Sequence, residues 1–147
     1  MTSKEQFDAF MKQAEFAFNS FHTRRNYEWK ITLGLWVLIV LATRFLYGRP
    51  PHLPMFAWFC IPVAVAVIHG AWLKGIWQAL QSDKAAADYF RACAADIIAG
   101  RDPGDVKLPP RVVAGWSIFF TNWAVRFQFA ATIMLCVGCV LVLVRSG

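Results

Sequence analysis

Three stretches of this chain carry almost no charge, and they limit its folding more than anything else in it. They are residues 31–41, 53–72 and 112–144, and in the last the only formal charge is Arg126, with Asn122 and Gln128 close by. A helix of about 20 apolar residues crosses the hydrocarbon of a bilayer. The 147 residues leave room for about one domain. With 58% of them hydrophobic and 16% aromatic, the chain is too apolar for a soluble domain of ordinary make-up. Seven Trp and thirteen Phe are hard to hide in so small a core. Lipid is the natural sink for them.

The charges are spread unevenly. No Asp or Glu falls between Glu28 and Asp83, and none follows Asp105, so the net +6 gathers around the apolar stretches. That pattern suits basic anchors at membrane edges. It does not suit a nucleic-acid surface, where Lys and Arg alternate with stacking aromatics, and no direct nucleic-acid partner is expected. The first 28 residues are charged and lack an apolar core, so a cleavable signal peptide is not expected and insertion uses the internal spans.

Helical signals run through the whole chain. Thr2 with Glu5 three residues on reads as a capping box opening the first helix. Phe7, Phe10, Met11, Ala14, Ala17, Phe18 and Phe21 recur at three- and four-residue steps and form one apolar stripe, with Lys4, Asp8, Lys12 and Glu15 outside it. No Pro or Gly separates that helix from 31–41, which predicts one continuous helix from about residue 3 to 47, roughly 65 Å long. Gly48-Arg49-Pro50-Pro51 ends it. The second span, 53–72, holds Pro62, expected to bend it, and the helical pattern continues past Lys74. There Ala86, Tyr89, Phe90, Cys93 and Ile97 make another stripe, and Gly100 supplies a stop. A loop with three prolines follows, and a third long helix is expected to start near Arg111.

As one helix, 112–144 is roughly 50 Å, too long for one span at modest tilt. The span is therefore placed at 127–144, with 112–126 as an aromatic extension and the helix leaving the membrane at Arg126. The expected fold is an all-α integral membrane protein, with three long helices extending into a cytosolic helical bundle. It is read as a single helical membrane domain over 1–147. The cytosolic parts are an amphipathic helix at 3–28 and a helix and loop at 73–112, and the spans are 30–47, 53–72 and 127–144.

Basic residues set the orientation. Lys4, Lys12, Arg24, Arg25 and Lys30 precede the first span, and Lys74, Lys84, Arg91, Arg101, Lys107 and Arg111 lie between the second and third. The other side has only Arg44, Arg49 and Arg145. The positive-inside rule then puts the N-terminus in the cytosol of a cell with this protein in its inner membrane.

The residues in or beside the spans that can carry function are Arg44, His69, Lys74, Asn122, Arg126 and Gln128, as pore-lining or interface positions. Arg44, Lys74 and Arg126 lie near span ends, where snorkelling competes with lining a water-filled path. His69 followed by Gly70 reads as a polar contact between helices before it reads as a proton carrier. The spans hold no carboxylate, and three spans give no paired inverted repeats, so a proton-coupled carrier is disfavoured.

Cys136-x-x-Cys139 has metal-ligand spacing without a second pair, and it reads as small packing residues; no metal or cofactor is expected. His22, His52 and His69 fall on separate segments, and no phosphate loop or catalytic triad is apparent, so catalysis is not expected. The dipeptide Arg25-Asn26 is similar to the start of the HEPN ribonuclease motif, but no His follows at the required spacing.

An interaction or pore protein remains. The stripes carrying Phe7, Phe10, Phe18, Phe21, Tyr89 and Phe90 exceed what one small chain can bury, and self-association covers the surplus. A homo-oligomer in lipid is expected; a cytosolic protein partner is the other way to cover those faces. The stretch "RRNYEWK" (24–30), running into "ITLGLWVLIV" and a helical cytosolic return, resembles small membrane effectors of bacterial antiviral systems. These include SLATT domains and the helical membrane partners of type VI CRISPR nucleases. The third span departs from the two-span SLATT pattern. The resemblance implies a role in permeabilising an infected cell's membrane. The sequence thus points first to an oligomeric pore or permeability effector, and second to a non-conducting scaffold or anchor subunit.

Overall fold

Thr2 and Glu5 cap the first helix reciprocally. The Thr2 amide donates to Glu5 Oε2 at 2.8 Å, and the Glu5 amide donates to Thr2 Oγ1 at 3.3 Å. Two amides that have no intrahelical acceptor are satisfied in this way. Helix α1 then runs unbroken over Ser3–Leu46, and Gly48, at φ 76°, follows it in the left-handed region that favours glycine. The computed structural model describes residues 2–48, 54–102, 109, 112–113 and 115–146. The expected break at Arg49-Pro50-Pro51, the start of the second span at Leu53, and Lys107 and Arg111 in the proline-rich loop lie outside the described residues.

Helix α2 spans Met55–Ile98 with Pro62 inside it. Its stop is a Schellman turn. The Gly100 amide donates to the Ile97 carbonyl at 3.0 Å and the Arg101 amide to the Asp96 carbonyl at 2.9 Å, with Gly100 at φ 71°. The Arg101 side chain returns to the same residue, placing its guanidinium 2.7 Å from Asp96 Oδ1.

The third long helix does not start near Arg111. Residues 112, 113 and 115 are not helical, a single turn α3 covers Ile118–Thr121, and α4 begins at Trp123 and runs to Ser146. The reason is Asn122. Its backbone is extended (φ −104°, ψ 113°), and its Oδ1 accepts from the Ala124 amide at 3.0 Å and the Val125 amide at 3.1 Å. An Asn side chain that takes over these donors starts a new helix. The apolar run is therefore cut at Asn122, four residues before Arg126.

Every element of regular structure among the described residues is helical. Three helices, α1, α2 and α4, are long and apolar enough to cross a membrane, and of their most apolar windows only 6%, 17% and 22% is buried. The apolar surface of these helices mostly faces outward.

The chain divides into two compact units, and α1 and α2 each contribute to both. The first holds 1–27 and 76–113. Its buried residues are small: Ala14 and Ala17 on α1, and Ala87, Cys93 and Ala94 with Leu80 on α2. Helices approach most closely where side chains are short, so the alanines form the seam and the rings flank it. Phe7, Phe10, Phe21, Tyr89 and Phe90 are accordingly only half-buried, and Phe18 is exposed. The stripe expected at Ala86, Tyr89, Phe90, Cys93 and Ile97 is rotated by about one residue toward Leu80, Ala87 and Ala94. Phe10 stacks on Phe90 with centroids 6.3 Å apart, and the Arg91 guanidinium lies 5.1 Å from the Phe18 ring centroid. Arg24 Nε sits 2.8 Å from Asp83 Oδ2, an ion pair with no donor aligned on that oxygen as a hydrogen bond.

The second unit holds 28–75 and 114–147. Within it α1 and α4 run parallel, as the contacts of residue 28 with 128, 36 with 132 and 39 with 139 require. Helix α2 runs against them. Gly70 is buried where α2 meets α4: a Cβ there would sit 3.0 Å from Phe129 Cε2.

Candidate functional site

The interior of the second unit is polar at one end. Glu28, Thr32 and Trp36 lie four residues apart on one face of α1, Gln128 and Thr132 four apart on α4, and His69 on α2 faces both. Thr32, Gln128 and Thr132 are fully buried at 0% exposure, with His69 at 4% and Glu28 at 5%.

Their hydrogen bonds interlock. Gln128 Nε2 donates to Glu28 Oε1 at 2.7 Å, and Thr32 Oγ1 donates to Gln128 Oε1 at 2.9 Å. Thr32 has then used its one hydrogen, so the 3.3 Å contact with His69 Nε2 requires that nitrogen to donate. His69 Nδ1 lies 3.0 Å from Thr132 Oγ1. Trp36 Nε1 donates to the same hydroxyl at 2.9 Å, and that hydroxyl also lies 2.9 Å from the Gln128 carbonyl. The amide orientation and the proton on His69 Nε2 follow from this count of donors. Each side chain in the ring has a partner, and Thr132 has one hydrogen for two acceptors in reach, the Gln128 carbonyl and His69 Nδ1.

Such a ring holds three helices in one register. A buried polar group without a partner costs about 1–3 kcal/mol, so sliding any helix by one turn would orphan several groups at once. As a proton path it is poor, because Gln128 sits between Thr32 and Glu28, and an amide does not readily take a proton at oxygen and release one from nitrogen. The arrangement is suited to holding helices together rather than to transferring protons.

The ring brings together two residues that the sequence singles out, His69 and Gln128, and four that it does not: Glu28, Thr32, Trp36 and Thr132. Glu28 also qualifies the absence of carboxylates from the spans, since it lies two residues before 30–47 and is buried among them. The signal was present as polar residues four apart in apolar surroundings.

The other candidates lie elsewhere. Asn122 caps α4 as described. Lys74 Nζ stands 4.7 Å from the Trp116 ring centroid, a cation–π contact. Arg126 is exposed on the first turns of α4, with no ion pair or side-chain hydrogen bond among the described residues. Arg44 stands near the Leu46 end of α1, on a groove between α1 and α4. Cys136 is buried and Cys139 half-buried on α4, both as free thiols, and no three metal-ligating side chains converge among the described residues. No protein-family model, curated protein or solved structure matches the chain.

Proposed function

We propose that the chain is a multi-pass membrane protein that works as a helical scaffold. The second unit sits in the bilayer, and the first stands in the cytosol, where it assembles with further copies or holds a soluble partner. The N-terminus is cytosolic in this reading, and the membrane is the bacterial inner membrane. One observation carries the choice of scaffold over pore: Glu28, Thr32, His69, Gln128 and Thr132 are spent on one another inside a single chain. A pore built by oligomerisation needs polar side chains on an outward face, and the outward faces here are mainly apolar.

The apolar surface left open on α1, α2 and α4 supports lipid as the surrounding medium. The surplus on the first unit supports assembly. Phe16 is 71% exposed there, on the face of Lys12, and Met11 and Phe18 are exposed on the other side of α1.

A second reading, an oligomeric permeability effector of antiviral type, is favoured by Arg44 and Arg126. Both guanidiniums are exposed, and symmetry could gather either into a ring. Ion flux separates the two. Liposomes carrying the purified protein should hold a potassium gradient as well as empty ones do. Protein-dependent leakage that Arg126→Gln shifts toward cations would overturn the scaffold.

A further inference from the structure

The groove at the Leu46 end of α1 has the shape and charge of one particular molecule. It is an open groove of about 870 Å³ between one face of α1, bearing Val40, Thr43, Arg44 and Tyr47, and the 131–142 stretch of α4. Along α4 that is eleven steps, or roughly 16 Å at 1.5 Å per residue. One leaflet of a 30 Å hydrocarbon core has about that depth. The wall over that depth is apolar, with Met134 and Leu135 on α4, and it is shallow at Gly138, which carries no side chain.

Charge is confined to one end. Arg44 supplies a guanidinium with no ion pair or hydrogen bond among the described residues, and Tyr47 brings a phenolic hydroxyl one turn further on. A guanidinium and a hydroxyl above an apolar channel one leaflet deep match a phosphate above an acyl chain.

We infer that this groove is a binding site for a single anionic phospholipid of the leaflet on the Arg44 side, its phosphate on Arg44 and one acyl chain against Gly138. The inference rests on the membrane reading above. Arg44 then has a partner without leaving its helix, and the exposed seam between α1 and α4 is filled. A second copy of the chain fits less well, because the outward surface offers no carboxylate on the spans to meet Arg44.

Native mass spectrometry of the purified full-length chain tests this, with phosphatidylglycerol, the matching diacylglycerol and inorganic phosphate each added in turn. One phosphatidylglycerol per chain should bind, diacylglycerol should bind far less, and phosphate should not compete. Arg44→Gln should lower lipid occupancy about tenfold, the loss of one charge-assisted contact. Arg126→Gln, at the other end of α4, should leave it unchanged. Gly138→Leu should abolish binding without unfolding the chain, since a Cβ at Gly138 meets nothing within 4 Å.

Equal occupancy in Arg44→Gln and the parent overturns the site. So does a dimer lacking lipid that Gly138→Leu dissociates, which would give the groove to a second copy. Release of the chain from membranes by alkaline carbonate would be a different failure, that of the membrane reading itself.

Discussion

Gln128 Nε2 reaches Glu28 Oε1 at 2.7 Å, joining residues one hundred positions apart at a site where both side chains are buried. The bond fixes more than a distance. With the amide nitrogen turned to the carboxylate, the amide oxygen must face Thr32, and the rest of the ring follows from that orientation.

Substitutions at this pair should therefore differ by chemistry rather than by size. Gln128→Glu keeps the shape but sets two carboxylates against each other, and it should lower stability by about 3 kcal/mol or more. Gln128→Leu removes the donor and leaves Thr32 without its acceptor, a cost of about 2 kcal/mol. Glu28→Gln still accepts the bond through its own amide oxygen and should cost under about 1 kcal/mol. Thermal unfolding in one detergent ranks the three. Gln128→Glu unfolding at the parent's temperature would remove the ring as a source of stability.

The donor count gives His69 a definite spectrum. In protein labelled with ¹⁵N-histidine, the Nε2 resonance of His69 should be that of a protonated donor. An unprotonated Nε2 would mean that Thr32 gives its hydrogen to His69, and the bond to Gln128 Oε1 would have to be redrawn.

The parts of this structure that the sequence reveals are those decided locally. Thr2 with Glu5, and Gly100 after Ile97, are cap chemistry confined to a few residues, and both sit where the pattern places them. The start of α4 was not legible from hydropathy, because Asn122 is one polar residue in a long apolar run and its effect is to satisfy two amides. The seam of the first unit was obscured for another reason. Hydrophobicity draws attention to Phe10, Phe18 and Phe90, whereas the closest helix approach selects Ala14, Ala87 and Ala94. His69 and Gln128 stood out as polar residues in apolar stretches. Their partners Thr32 and Thr132 did not, since a threonine in a helix commonly bonds its own backbone and only the cross-helix register shows otherwise.

Two glycines of α2 should respond to alanine with opposite signs. At Gly70 a Cβ would stand 3.0 Å from the Phe129 ring, so Gly70→Ala must displace that ring and should cost about 1–3 kcal/mol. At Gly75 a Cβ meets nothing within 4 Å, and Gly75→Ala should stabilise the helix by up to about 1 kcal/mol. Melting temperatures moving in the same direction would contradict the close approach of α2 to α4.

Orientation is best read from exposed positions. Cys93 is only 5% exposed, so its failure to react would say nothing about the side it occupies. Position 51, between the first two spans, lies outside the described residues. Arg145 and Lys84 are exposed and are better placed. An impermeant maleimide on intact cells should label Arg145→Cys above the background of the parent thiols, and should reach Lys84→Cys only after permeabilisation. Labelling of Lys84→Cys in intact cells would invert the topology.

The first unit separates folding from assembly, because its seam and its exposed rings belong to different residues. Ala14 is 1% exposed, so Ala14→Leu overfills the seam and should cost about 1–3 kcal/mol in folding. Phe10→Asp places a charge where a ring stacks on Phe90 and should also weaken the fold. Phe16 stands 71% exposed, and Phe16→Ser should change stability by no more than about 0.5 kcal/mol, as surface substitutions do. If the exposed rings are the assembly surface, Phe16→Ser should nonetheless lower the mass measured by light scattering in detergent. A Phe16→Ser protein with the parent's mass would leave that ring for a soluble partner.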